Sequence, residues 1–480
     1  MVWHMKVEII VMLTNLNEPS GMKCEQYWPD VNQSEMFGDE HVFCQELYEF
    51  AEYTIRKFEV SSNKNRQTAC RRIVQLHYTA WPDKKTPEDV VTLLEFRHKF
   101  RNIDTTLNGP VIIHCSAGIG RTGVFIAIDK LILEGHSEGT VNVAVCVKKM
   151  REMRMKMVQT TEQYKFIFKA LAYALYFDSE PIQNENLIEK IEGADDTLFD
   201  IKYQELLMCL ENTGNDITST AAVYENVMLK DMHTVELLDN YNRVHLYLNR
   251  GYDDTDYINA VYINSFKLKD HLIMAQSPLP GTEFDFLTMI YQENCSCIVS
   301  IEDISEQSMA VNKCFPTNNR STDIGCFTVC CTVHKSTSQY TVSKMTIKNK
   351  GKFSDDRRDF YHFQYKNWKA KDVIPENAEE FVEFVKDVGE YITHTNESSH
   401  VLVHCLNGSE RSGIYCAVAI IMEKIFYDKK VSVLNTLRHL RTRRPNAITS
   451  MEQMKFCFKA AKAIAETQIK TSGISKDTPY

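Results

Sequence analysis

Read for polarity, the chain is a series of short apolar runs separated by polar turns. Val7–Leu13 is one such run, too short for a membrane span and without a signal peptide's flanks, and it predicts a strand. Val111-Ile112-Ile113 is β-branched and apolar, as a buried strand should be. Val124 to Leu133 is long and apolar enough for a buried helix, and Tyr164–Leu175 has helical character as well. Asp178 to Asp196 breaks the pattern: seven acidic residues face Lys190 alone, which predicts a linker. After it the amphipathic run Leu198–Leu210 predicts a helix, and Val401-Leu402-Val403 a further strand. The tail beyond Glu466, rich in Ser, Thr, Lys and Gly, predicts frayed chain.

The strand and helix at 111–133 bracket the most informative segment. Between them stands His114-Cys115-Ser116-Ala117-Gly118-Ile119-Gly120-Arg121-Thr122-Gly123. Strand, tight glycine-bearing loop and helix is the arrangement that aims backbone N–H groups and a positive helix end at an anion. A cysteine facing that site ionises readily, because the same field stabilises its thiolate. A cysteine at a strand end is more often a small hydrophobe. The histidine before it, the two glycines, and the Thr-Gly after Arg121 together favour a nucleophile in a phosphate cradle.

Composition narrows the class. The chain has 480 residues, too many for one core, with 44% hydrophobic and 25% charged residues. A net charge of −9 argues against a nucleic-acid partner. Fifteen cysteines without regular spacing do not resemble a disulfide scaffold and suit a reduced, intracellular setting. Cys295, Cys297, Cys330, Cys331 and His334 lack a second ligand pair at zinc spacing.

The chain also repeats itself. Val401-Leu402-Val403-His404-Cys405 opens a second cradle that closes with Gly408-Ser409-Glu410-Arg411-Ser412-Gly413. Cys405 lies 290 residues after Cys115, Glu452-Gln453 lies 290 after Glu162-Gln163, and Trp368 lies 287 after Trp81. Near-constant offsets mean a duplicated domain. The expected boundaries are a first domain at 1–178, the acidic linker at 179–196, a second domain at 197–466 and a disordered tail at 467–480. Sequence of the second copy before Met289, such as Asp256-Tyr257-Ile258-Asn259-Ala260, has no counterpart in the first, which is then short by about 90 residues at its front. An internal start of the gene reading is the expectation for that shortfall.

These residues resemble the receptor-type protein tyrosine phosphatases with tandem cytoplasmic domains. The carriers are the cradle, Trp81-Pro82-Asp83, Gln159-Thr160-Thr161-Glu162-Gln163 and Lys23-Cys24-Glu25-Gln26-Tyr27-Trp28. The resemblance implies an α/β fold in which each domain is a twisted mixed sheet flanked by helices. It implies that Cys115 attacks phosphotyrosine while the backbone of Ser116, Ala117, Gly118, Ile119, Gly120 and Arg121 holds the phosphoryl oxygens. Asp83 is then general acid and afterwards base, Arg121 a bidentate contact, and Thr122 a donor to the departing thiolate or a helix-starting hydroxyl. Gln163, assisted by Gln159, orients the hydrolytic water, although Thr160-x-x-Gln163 also reads as a capping box. His114 fixes the loop and tunes the thiol. Glu18 resembles the acidic partner of the cradle arginine, with a solvated carboxylate as the other reading. Trp28-Pro29-Asp30 repeats the Trp81-Pro82-Asp83 tripeptide but follows the wrong motif, so Asp83 is the acid. Lys84-Lys85-Thr86 departs from the family and would alter loop closure or attract acidic phosphopeptides.

The second copy keeps Cys405 and Arg411 but has Ala370 at the acid position, Glu410 in place of Gly120 and Thr449 in place of Gln159. Asp372 is a poor substitute acid, and Lys230-Asp231-Met232-His233 resembles the phosphotyrosine-pocket loop with its key residues lost. The resemblance implies an inactive, regulatory second domain with contacts of its own, phosphotyrosine proteins as partners, and no cofactor or metal. It implies a cytoplasmic chain, the intracellular part of a single-pass membrane receptor whose membrane segment lies outside these residues. The spacing from Asp83 to Cys115 and the tandem arrangement look like the tyrosine-specific class rather than the dual-specificity one. The competing reading is a phosphoprotein-binding scaffold without catalysis.

Overall fold

Four consecutive buried residues, Ile9 to Met12, form β1, whose two faces are both covered. That is what a central parallel strand requires. A computed structural model of the chain describes residues 1–62, 69–87, 89–177, 180–211, 242–248, 256–301, 309–317, 320–350, 356–393 and 399–474. The chain divides into two compact units, residues 1–181 and 182–480. Among the described residues no helix is long and apolar enough to cross a membrane.

In the first unit β1 is followed by β2 (Asn17–Glu18), β3 (Gly21–Met22), β4 (Ser34–Phe37), β5 (Glu40–Glu49), β6 (Tyr53–Ser62) and β7 (Ala69–Tyr78). Then come α1 (Val90–Arg101), β8 (Ile112–His114), α2 (Arg121–Glu138), α3 (Val143–Met153) and α4 (Thr161–Tyr176). The main sheet runs β4-β5-β6-β7-β1-β8, antiparallel from β4 to β7 and parallel through β7, β1 and β8. The register places Met12 beside His114, so the end of β1 and the start of the cradle meet at one sheet edge. Phe96, Phe100 and Phe125 pack α1 against α2 with ring centroids 5.9 Å apart for each pair with Phe125. Asp129 of α2, nearly buried, accepts from Arg97 at 2.9 Å and from Arg101 at 2.7 Å, which fixes the helix that carries the cradle.

The second unit holds β9 (Ile182–Gln183), α5 (Asn184–Glu192), α6 (Asp196–Glu211), β10 (Arg243–His245), β11 (Tyr257–Ile263), β12 (Leu272–Gln276) and α7 (Glu283–Gln292). It continues with β13 (Cys295–Ser300), α8 (Met309–Cys314), β14 (Ser321–Ile324), β15 (Phe327–Ser336), β16 (Tyr340–Asn349), β17 (Arg357–Tyr365) and α9 (Ala378–Thr393). Its last elements are β18 (His400–Cys405), α10 (Glu410–Asp428), β19 (Lys430–Val431), α11 (Val433–Arg443) and α12 (Met451–Ile474). Its sheet runs β10-β11-β12-β18-β13-β17-β16-β15-β14. The stretch from β13 to β18 repeats the first sheet strand for strand, while β12, β11 and β10 extend it past the cradle strand.

Two sequence expectations meet a different structure. The acidic stretch read as a linker carries β9 and α5 from residue 182 onward. β9 pairs with β19, which draws these residues into the second unit. The tail read as frayed is helical through Ile474, because α12 simply continues. Residues 178–179 of that linker and the segment 230–233 lie outside the described residues.

Candidate active site

The cradle is built by β8, the loop 115–120 and the first turn of α2. Gly118 turns the loop with φ +69°, a conformation that favours glycine. Gly120 caps α2 without a side-chain bond, leaving the first-turn N–H groups to face outward. Among the described residues, the N–H groups of Ser116 to Arg121 make no hydrogen bond to the protein, so they are donors waiting for an acceptor. From behind, Arg154 donates to the Ala117 carbonyl at 3.2 Å and the Val158 N–H to that of Ile119 at 3.1 Å. Cys115 is 9% exposed at the floor, and Thr122 donates to its Sγ at 3.2 Å.

Arg121 is held in a fork. Glu18, almost fully buried, accepts from its two terminal nitrogens at 2.5 and 2.8 Å, and the carbonyls of Leu13 and Pro82 accept at 3.2 Å each. A solvated Glu18 is therefore ruled out. Asp83 reaches the same guanidinium, with Oδ1 4.0 Å from it. The Ser20 N–H donates to Asp83 at 2.9 Å and the Lys23 ammonium stands 3.4 Å away. These donors, Ser20 foremost, hold the Asp83 carboxyl well below the usual carboxylate range. Asp30, by contrast, accepts from Gln26 in its own turn.

His114 sits in a relay that spacing does not reveal. The Gln75 amide donates to the Tyr27 hydroxyl at 2.9 Å, and that hydroxyl meets His114 Nε2 at 2.7 Å. With its oxygen already accepting, Tyr27 donates to Nε2, which leaves the proton on Nδ1, facing the Cys115 carbonyl at 3.3 Å. Burial lowers the His114 pKa, in keeping with a neutral ring. Tyr27 and Lys23 both belong to the Lys23–Trp28 motif, which was the available signal for them. Gln75 carried none.

Gln163 serves two purposes at once. Its N–H donates to Thr160 Oγ1 at 3.1 Å and its Oε1 accepts from the Gln159 N–H at 2.8 Å, so the Thr160 cap is present and the returning bond lands one residue ahead of the one a capping box uses. The Gln159 and Gln163 amides also flank Gly120: a Cβ there would come 2.7 Å from Gln159 Oε1 and 3.0 Å from Gln163 Nε2. Lys84 has φ +60° and the Lys85 carbonyl accepts from the buried Trp81 indole at 3.0 Å, which shapes the turn bearing Asp83.

A family model described as protein-tyrosine phosphatase matches residues 1–173 and 221–463. The chain belongs to the protein-tyrosine phosphatase family. It is 31% identical over 482 residues to the human receptor-type tyrosine-protein phosphatase epsilon, covering 96% of the chain and 67% of that protein. To the mouse receptor-type tyrosine-protein phosphatase alpha it is 30% identical over 473 residues, covering 96% and 56%. To the tyrosine-protein phosphatase Lar of Drosophila melanogaster it is 29% identical over 470 residues, covering 96% and 23%. The chain thus spans little more than half the length of the alpha-type relative.

The second phosphatase-like unit shows how the same frame is closed. Trp368 donates to the Asp372 carbonyl at 2.9 Å, repeating the turn of Trp81 and Lys85. Asp372 therefore occupies the place of Lys85, and Ala370 that of Asp83. Arg411 donates to the carbonyls of Lys369 and Ala370 at 2.9 and 3.0 Å. Inside the loop, Asn407 Oδ1 accepts from the N–H groups of Ser409 and Glu410 at 3.1 and 3.2 Å and lies 3.4 Å from Cys405 Sγ. A side-chain oxygen of the protein thus meets loop N–H groups whose counterparts in the first unit have no such partner. Cys405 itself is 1% exposed, with Ser412 Oγ 2.8 Å from its sulfur. Sequence comparison flagged Glu410 and Ala370 but passed over Asn407, which stands where the first unit has Ala117.

Proposed function

We propose that the first unit hydrolyses phosphotyrosine in proteins through a phosphocysteine on Cys115. The observation that carries this reading is the convergence of unpaired backbone donors, the Thr122-bonded thiol, and the Arg121 and Asp83 side chains on one loop. The Cys115 thiolate attacks phosphorus, the S–P bond forms and the P–O bond to the tyrosyl oxygen breaks. The cradle N–H groups and Arg121 take up the charge of the equatorial oxygens. Asp83 gives its proton to the leaving phenolate. Released from Ser20 and Lys23 and brought beside a phosphoryl dianion, its carboxyl rises toward the protonated form this step needs. A water then attacks phosphorus, oriented by Gln163 with Gln159, and loses its proton to Asp83. The S–P bond breaks, Thr122 stabilises the returning thiolate, and inorganic phosphate leaves.

The second unit is regulatory or scaffolding in this proposal. What supports that is Asn407 in the cradle and Ala370 at the acid position. As the intracellular part of a membrane receptor, the chain would act on phosphotyrosine proteins at the inner membrane face. Turnover of a phosphotyrosyl peptide by the wild type, Cys115→Ser, Asp83→Ala and Cys405→Ser tests the whole scheme. The first two variants lose turnover and the third keeps it. Activity in Cys115→Ser, or its loss in Cys405→Ser, sinks the proposal.

A further inference from the structure

The line of bonds that reaches His114 does not stop at Gln75. Arg56 on β6 lies directly across the antiparallel ladder from Gln75 on β7, so their side chains share one face of the sheet. Arg56 Nη1 donates to Gln75 Oε1 at 3.2 Å. Its guanidinium lies over the buried Trp28 ring, 4.7 Å from the centroid, which fixes its place. Gln75 is fully buried, and a glutamine amide by itself can be turned either way. Arginine has donors and no acceptor, so only the amide oxygen can face it. The amide nitrogen then points to the Tyr27 hydroxyl at 2.9 Å and the Met12 sulfur at 4.0 Å. Burial pushes the Tyr27 hydroxyl up to about 12, so near neutral pH it keeps a proton to donate to His114 Nε2 at 2.7 Å. Each bond dictates the direction of the next.

The second unit lacks the group that starts this line. Ser343 and His362 pair across β16 and β17 as Arg56 and Gln75 pair across β6 and β7, each 287 residues on. Ser343 bonds His334 at 2.8 Å. Ser300 Oγ stands between His362 Nε2 at 2.7 Å and His404 Nε2 at 2.5 Å. A hydroxyl has one proton, so it donates to one ring and accepts from the other. Ser277 Oγ, 2.8 Å from His404 Nδ1, can donate or accept to suit. Two tautomers of His404 therefore satisfy the same bonds, whereas in the first unit a cation selects one for His114.

We propose that Arg56 is a positioning residue of the active site, whose grip on Gln75 directs the line through Tyr27 and keeps the His114 proton on Nδ1. The Nδ1–H faces the Cys115 carbonyl at 3.3 Å and draws it toward the ring, so the loop that follows turns its N–H groups to the anion. The other tautomer sets a lone pair against that carbonyl and pushes the start of the loop out of place. Arg56 acts only through Gln75 and Tyr27. The consequence for turnover rests on the reading of Cys115 as the nucleophile, and the position of the ring proton does not.

The test is histidine ring-nitrogen NMR of the isotope-labelled full chain near neutral pH, with His114 assigned by its absence in His114→Asn. The wild type shows Nδ1–H. Arg56→Met keeps the contact with Trp28 but has no donor, and it mixes the two tautomers. Arg56→Lys restores the wild-type form. Gln75→Glu stays paired with Arg56 but offers Tyr27 an acceptor, so the phenol turns its proton round and His114 changes to Nε2–H. Turnover of a phosphotyrosyl peptide falls about tenfold in Arg56→Met, the worth of one orienting hydrogen bond. It returns in Arg56→Lys and falls again in Gln75→Glu. Because Gln75→Glu keeps a cation–acceptor pair inside the sheet, it decides the matter where Arg56→Met does not fold. An Nε2–H ring in the wild type, or an Nδ1–H ring in Gln75→Glu, overturns the proposal. So does a folded Arg56→Met with an unchanged ring, or a changed ring with unchanged turnover. A wild type with the expected ring and no turnover counts against the phosphatase reading alone.

Discussion

Gly120 is the position at which the two cradles diverge most simply, and replacing it separates crowding from charge. Its φ is −75°, so a side chain meets no left-handed backbone penalty. As a helix cap with no side-chain bond it contributes little that alanine removes, about 1 kcal/mol at most, so the fold survives and the melting temperature checks this. In Gly120→Ala the new methyl would stand 2.7 Å from Gln159 Oε1 and 3.0 Å from Gln163 Nε2. Both are ends of flexible side chains, and restoring contact distance moves them by roughly 0.7 Å. A misplacement of about 1 Å costs about a hundredfold, so hydrolysis of the phosphoenzyme slows by about 10–30-fold while its formation is spared. Rapid-quench kinetics then show a burst of tyrosine release near one per chain before a slow steady state. Gly120→Glu adds a carboxylate at roughly 5 Å from the phosphoryl dianion, a repulsion of about 1.7 kcal/mol even at the screening of bulk water. That is about a twentyfold rise in KM as a floor, and Gly120→Gln, equal in size but neutral, isolates it. Equal KM values for the Gln and Glu variants, or wild-type steady-state turnover in Gly120→Ala, would refute the reasoning.

Lys23→Met removes the ammonium 3.4 Å from Asp83, so the carboxyl rises and the high-pH fall of kcat/KM, where the acid loses its proton, moves to higher pH. An unmoved profile means Lys23 does not hold the resting acid. Asn407→Ala with Glu410→Gly empties the second cradle. In a Cys115→Ser, Arg121→Met background, calorimetry should then detect one tungstate site absent from the parent, still without turnover because Ala370 supplies no acid. The absence of that site would count against Asn407 as the plug. Burial depresses His404 and His362, linked through Ser300 Oγ at 2.5 and 2.7 Å, to about 3. The native rings therefore bind fewer protons than the unfolded ones near 6.5. Their contribution is full above that pH and lost as pH falls from 6.5 toward 3, on the order of 2 kcal/mol for one ring by pH 5. Hydrogen exchange of the β18 amides at pH 7 and 5 measures it, and equal protection at both, after correction for intrinsic rates, contradicts it.

What the sequence disclosed follows from how local each feature is. The strand at Ile112–His114, the helix from Arg121 and the helix cap at Thr160 are set by neighbours within a turn or two, and periodicity and motif spacing expose them. The duplication exposed the sheet that both units share. The Tyr27–His114 bond spans 87 residues and the Ser20–Asp83 bond 63, and no spacing rule predicts which distant loop faces which. The acidic stretch at 182–192 misled for a related reason. Its charges lie on one face of a short helix whose Leu187 is buried, so a composition typical of linkers conceals a packed element.

Keeping cysteine and arginine is therefore not what keeps a cradle open. Both units place the thiol at a strand end and the guanidinium in the first turn of the following helix. In the first unit Arg121 is gripped by the carboxylate of Glu18, an acceptor that orients the fork while the loop N–H groups stay unpaired. In the second, Arg411 donates to the carbonyls of Lys369 and Ala370 as Arg121 does to those of Leu13 and Pro82, while Asn407 satisfies the loop from within. An anion entering there must break bonds already made, whereas at Cys115 it completes bonds otherwise missing. Buried donors left without partners are costly, and they are tolerated in the first unit because the loop is exposed at Ser116 and Ala117, where water can serve them until a phosphoryl group arrives. The two cradles therefore differ in the acceptors their own chain supplies to the loop, and asparagine in place of alanine supplies one of them.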